Sequence, residues 1–90
     1  MELIKLLRID NELGLHARSA AKIVALAGRY KSYLFLSKND QEVEGSSILS
    51  ILSLACPKGT EITARAVGED SEKLMAALSD LFERKFGEGE

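Results

Sequence analysis

His16 is the only histidine in the chain, with Arg18 two positions after it and Gly14 two positions before it. The stretch 12–19 reads Glu-Leu-Gly-Leu-His-Ala-Arg-Ser, and a helical pattern of apolar residues starts just beyond. The first-turn N–H groups of a helix have no partners inside it, and with the positive end of the helix dipole they make an anion site. An imidazole in that position adds a nucleophile. Once a neutral ring takes a phosphoryl group, the N–H groups of Ala17, Arg18 and Ser19 favour the new negative charge. Arg18 adds a fixed positive charge and a planar fork of donors suited to phosphate oxygens. Plain structure competes with this chemistry, because a lone histidine is most often a surface or capping residue and a lone arginine is most often solvated.

The surrounding elements follow from periodicity. Residues 2–9 are short, apolar and closed by Asp10-Asn11, which reads as a strand. Ala20, Ile23, Val24 and Ala27 recur at helical spacing until Gly28. Residues 32–37 form a second strand, Asn39-Asp40 a turn, and 41–44 a short polar return. Ser46 and Ser47 precede the apolar Ile48, Leu49, Ile51, Leu52 and Ala55 as caps precede a helix, which Pro57-Lys58-Gly59 ends. In 60–67, Ile62, Ala64 and Ala66 alternate with polar side chains as in a half-buried strand. Asp70 or Ser71 caps a last helix with the stripe Leu74, Ala77, Leu78, Leu81 and Phe82. Acidic residues open that helix, and Arg84 and Lys85 lie near its end, as the dipole prefers. The tail Gly87-Glu88-Gly89-Glu90 reads as frayed, with both glutamates solvated. The order βαββαβα implies an α+β open-faced sandwich, a four-stranded sheet with three helices on one face.

Bulk properties narrow the function. Residues 1–90 suit one small domain, and 46% hydrophobic with 29% charged residues is ordinary for a globular chain. The net charge of −2 lacks the basic footprint of a nucleic-acid binder. No apolar run reaches the roughly 18 residues of a membrane span. The single cysteine, Cys56, cannot pair internally and reads as a small buried residue in a cytoplasmic protein. No metal-ligand cluster and no glycine-rich nucleotide loop is present, so no cofactor is expected. A monomer is the default.

Residues 14–18, Gly-Leu-His-Ala-Arg, resemble the phosphorylation-site signature of the HPr family, the histidine-containing phosphocarriers of the bacterial phosphoenolpyruvate-dependent sugar phosphotransferase system. The run 45–54 is similar to the family's second motif, a serine followed by an apolar helix, and 58–63 to the run into its last strand. The resemblance spans nearly the whole chain. It implies that His16 accepts a phosphoryl group on Nδ1 from the phosphorylated enzyme I and passes it to sugar-specific IIA domains. Arg18 would steady the phosphate, and nothing would turn over without these partners. Ser47 matches the regulatory serine of many members, the target of an HPr serine kinase. The family usually has proline where this chain has Ser19; serine restores an N–H and adds a hydroxyl to the anion site. Leu15, Ala17, Ala20, Ile48, Leu49 and Leu52 are expected to form an apolar docking surface. Two alternatives remain: a regulatory paralogue of a nitrogen branch or of catabolite control, and an RNA-binding α/β module using Tyr33 and Phe35.

Overall fold

The computed structural model describes residues 1–88. Strand β1 (Glu2–Arg8) leads into helix α1 (Ala17–Ala27), the hairpin β2 (Tyr33–Lys38) and β3 (Gln41–Glu44), helix α2 (Ile48–Leu52), strand β4 (Glu61–Val67) and helix α3 (Ser71–Glu83). A single 3-10 turn, Lys85–Gly87, follows. The strands form one antiparallel sheet in the order β1-β4-β2-β3, so the α+β sandwich expected from the pattern is the observed one.

Strand alternation decides which face is covered. Ile62 of β4 lies opposite Leu7 of β1, while Ala64 and Ala66 lie opposite Leu36 and Leu34 of β2. All six are buried on one face, where α1 and α3 add Ala20, Ile23, Leu74, Leu78 and Phe82. Each fully buried leucine or isoleucine contributes roughly 1.5–3 kcal/mol of transfer free energy, so this face holds the fold together. The other face stays open. There Arg65 bonds Glu42 through two nitrogens at 3.0 and 2.9 Å and Glu2 at 2.9 Å, and its guanidinium lies 4.3 Å from the ring centre of Phe35.

Three local expectations are corrected. Helix α2 stops at Leu52 instead of running to Ala55: Leu54 and Ala55 donate back to Ile51 and Leu52 in a tighter turn, and Ala55 takes φ 54°. Lys38 Nζ then donates to the carbonyls of Leu54 (3.0 Å) and Ala55 (2.7 Å), a long-range satisfaction that local propensity cannot foresee. Asp70 stands at the start of α3 but makes no side-chain cap. Its carboxylate accepts instead from the backbone N–H groups of Lys31 (2.9 Å) and Ser32 (2.8 Å) and from the Ser32 hydroxyl, which ties the α1–β2 loop to α3. The largest correction is the tail. Lys85 and Phe86 adopt φ 54° and 56°, a left-handed conformation costing about 1 kcal/mol or more per residue. Burial of Phe86 offsets it: the side chain is 1% exposed, its ring centre 4.8 Å from that of Phe82, and Lys22 Nζ donates to its carbonyl. The chain reverses there, and Glu88 folds onto the start of α1 instead of reaching into solvent. Glu90 lies outside the described residues.

Candidate functional site at the start of helix α1

The loop into α1 is held firmly. Gly14 has φ 67°, and a Cβ there would lie 2.5 Å from the Cys56 carbonyl oxygen and 2.8 Å from Pro57 Cα. Glycine thus meets both a backbone conformation and a close approach that no other residue can. Leu15 N–H donates to that same carbonyl oxygen at 2.8 Å, so the segment after α2 braces the loop before α1. Burial pushes the Cys56 thiol up, with the charge of Lys38 opposing it in part, and the sulfur is packed as expected.

His16 is the N-cap of α1, with extended backbone at φ −132°, ψ −177°. The Arg18 backbone N–H donates to His16 Nδ1 at 3.3 Å, while the Ser19 hydroxyl oxygen accepts from the His16 backbone N–H at 2.9 Å. This reciprocal cap settles what Ser19 does. Its side chain is fully buried, and its hydroxyl has the carbonyl oxygens of His16 (3.1 Å) and Gly14 (3.4 Å) as acceptors. The expected extra donor for an anion is therefore spent inside the loop, which leaves only the backbone of Ser19 for that purpose.

The opposite ring nitrogen meets the tail. His16 Nε2 lies 2.6 Å from Glu88 Oε2, and Asn11 Nδ2 donates to Glu88 Oε1 at 2.9 Å. Burial raises the Glu88 carboxyl, but the hydrogen bonds from Asn11 and His16, with the charge of Arg18, outweigh it and hold the group below the usual carboxylate range. Asn11 is fully buried, and Nδ2 also donates to the Gly14 carbonyl at 2.7 Å. A backbone N–H can only donate, so Nδ1 must carry the lone pair, and Nε2 carries the proton that Glu88 accepts. Arg18 is exposed beside this arrangement and lines a shallow depression with Leu13, Lys22, Gly87 and Glu88.

Other predicted site residues divide. Ile48 and Leu49 are 37% and 80% exposed on α2, which packs against α1; Ala17 is exposed, and Leu15 and Leu52 are half-buried. Ala20 is 0% exposed and belongs to the core, so it is removed from the docking surface: the face of α1 that carries it turns toward the sheet. Leu13, beside the site, is 63% exposed. Ser47 caps α2, its hydroxyl oxygen accepting from Ser50 N–H at 3.2 Å. Tyr33 is exposed on the open sheet face, but Phe35 is covered by Arg65, and Glu2 and Glu42 flank that arginine; this face is poorly suited to stacking bases beside phosphates. Asn11 and Glu88 went unnoticed in the sequence. An Asn-containing turn was legible at 10–11, but no local signal joins residue 88 to residue 16.

The family model "PTS HPr component phosphorylation site" matches residues 5–84. The phosphocarrier protein HPr of Neisseria meningitidis is 44% identical over 84 residues, which cover 93% of this chain and 94% of that one. The HPr-C-His structure from Thermoanaerobacter tengcongensis superposes with a TM-score of 0.93 at 38% identity over 98% of this chain and 99% of that one. An HPr dimer from the same organism gives a TM-score of 0.77 at 40% identity over 91% of this chain and 94% of that one. A family match over residues 5–84, a shared fold and a histidine at a helix start lead to one assignment: the chain belongs to the HPr family, the phosphocarrier proteins of the phosphotransferase system.

Proposed function

We propose that His16 is the phosphoryl acceptor and that Nδ1 is the reacting atom. The observation that carries this is the pair of contacts on the ring: a backbone N–H at Nδ1 and a carboxylate at Nε2. A lone pair on Nδ1 attacks phosphorus. The Arg18 N–H beside it then lies next to the transferred phosphoryl oxygens, at the positive end of α1. Arg18 and Lys22 are the cations at hand for the remaining charge.

In this reading the donor is the phosphorylated enzyme I and the receivers are sugar-specific IIA domains, which dock on Leu13, Leu15, Ala17, Ile48, Leu49 and Leu52. Such brief encounters call for a small interface, near or below about 1,200 Å². Ser47 is the regulatory acceptor of an HPr serine kinase: a phosphate there adds charge beside Ile48 and Leu49 and weakens docking. The protein acts as one domain, cytoplasmic and monomeric, without a cofactor, and transfers nothing unless a partner is present. No described helix is long and apolar enough to cross a membrane. Incubation with phosphoenolpyruvate and a bacterial enzyme I, followed by intact mass and phosphorus NMR, tests the reading. An acid-labile phosphate on the wild type that is missing from His16→Ala supports it; phosphate on both proteins, or on neither, refutes it. Size-exclusion chromatography with light scattering checks the monomer.

A further inference from the structure

A cavity of about 450 Å³ opens between the last turn of α1 and the first residues of β2. The shortness of β3 leaves this space. Glu44, the last residue of β3, lies opposite Phe35, so Tyr33 and Leu34 of β2 extend beyond the end of that strand. The chain then crosses on Gly45, whose N–H donates to the Leu34 carbonyl at 2.7 Å. A Cβ on Gly45 would lie 2.7 Å from the Leu34 side chain, and only glycine lets the backbone approach this closely. Val24, Ala27, Gly28 and Leu34 give the cavity an apolar lining, and Glu44 and Ser46 complete its wall. Its volume falls within the roughly 300–1,000 Å³ of small-molecule sites. A protein partner would call instead for a face of roughly 800 Å² on each side.

The polar groups around this cavity select the charge of its occupant. Ser32 also lines it, but its hydroxyl is spent on the Asp70 carboxylate. Glu44 is exposed, and among the described residues its carboxylate accepts from the Ser46 hydroxyl at 3.4 Å and is paired with no cation. Helix α1 ends at the same place, and its last turn carries no basic residue to offset the negative end of the helix dipole. The cations next along the chain are turned elsewhere. Lys31 pairs with Glu69 at 3.3 Å, and Arg29 lines a separate groove with Lys22 and Arg84. We propose that this cavity binds a small organic amine. Its apolar body fills the space over Leu34, and its protonated nitrogen sits between the Glu44 carboxylate and the end of α1. The Ser46 hydroxyl is a further acceptor for the ammonium N–H groups. The site lies at the end of α1 opposite to His16 and is independent of the phosphoryl chemistry there.

Phenethylamine, protonated at neutral pH, is the probe that tests this. Its neutral counterpart of similar shape is 2-phenylethanol, and phenylacetate supplies the anion. Each is titrated into the full chain and followed by nitrogen-15 NMR of the backbone amides. Phenethylamine is expected to give saturable shifts at Gly28, Leu34 and Gly45, with an affinity in the millimolar range or tighter. An exposed ion pair contributes modestly, so the alcohol should bind about three- to fivefold more weakly, and phenylacetate more weakly still. Glu44→Gln changes one exposed strand residue, and it should bring phenethylamine down to the affinity of the alcohol. The lack of saturable shifts at those amides overturns the proposal. Equal binding of the three molecules, or an unchanged affinity for phenethylamine in Glu44→Gln, overturns it as well.

Discussion

Helices α1 and α2 both begin at a capping side chain, His16 on one and Ser47 on the other. Ser47 makes a local cap: its oxygen meets an N–H three residues on, at the start of a helix of five residues. His16 makes the same kind of bond through Nδ1, but its second nitrogen is held by a residue 72 positions away. The loop before it is braced by Cys56 and Pro57, and its backbone N–H is taken by Ser19. A local cap stabilises a helix end and leaves its side chain ordinary. A cap fixed by distant groups also sets which atom carries the lone pair, and in this the caps at Ser47 and His16 differ.

The comparison can be broken most severely at His16 itself. His16→Ala should abolish phosphoryl acceptance in the intact-mass assay, while thermal unfolding shows only the loss of a cap, about 1 kcal/mol or roughly 4–8 °C. Gly14→Ala attacks the brace instead. The left-handed backbone and the contact with Cys56 should cost about 2–4 kcal/mol in urea unfolding, and a cost under 1 kcal/mol would show that the loop is not braced there. Ser19→Pro restores the proline usual in the family but removes the hydroxyl that accepts from His16 N–H. It should lower stability by about 1–2 kcal/mol yet keep transfer within tenfold, about 1.4 kcal/mol in barrier. A larger kinetic loss would give Ser19 a role beyond the cap.

On the other helix, Ser47→Ala should cost about 1 kcal/mol, whereas Ser47→Asp keeps a cap and nearly all the stability. Calorimetric titration with enzyme I should show weaker binding for Ser47→Asp; unchanged affinity would leave this serine purely structural. The third helix start gives the smallest effect. Donors of Ser32 and Lys31 hold the Asp70 carboxyl below its ordinary range. Its stabilisation is therefore complete above the unfolded-state value, about 3.9, and is lost as pH falls through the lower folded value. Asp70→Asn should flatten that acid limb in a pH series of thermal unfolding and leave the neutral-pH transfer rate unchanged.

Much of the molecule was legible in the chain. Alternation over Ile62, Ala64 and Ala66, helical spacing from Ala17 and from Leu74, and the turn at Asn39-Asp40 are local patterns set by side-chain burial, and the strands and helices lie where those patterns put them. His16, Arg18 and Ser19 were legible for the same reason, being neighbours on one helix turn. Three features were decided only in three dimensions. Ala20 is core because α1 turns that face to the sheet, and the tight turn that follows α2 has its Leu54 and Ala55 carbonyls bonded by Lys38 from β2. Glu88 meets His16 because Phe86 buries itself against Phe82 and reverses the chain. Local sequence determines which residues share a turn or a strand face; contacts across 72 positions depend on how buried side chains pack, and no spacing along the chain encodes that.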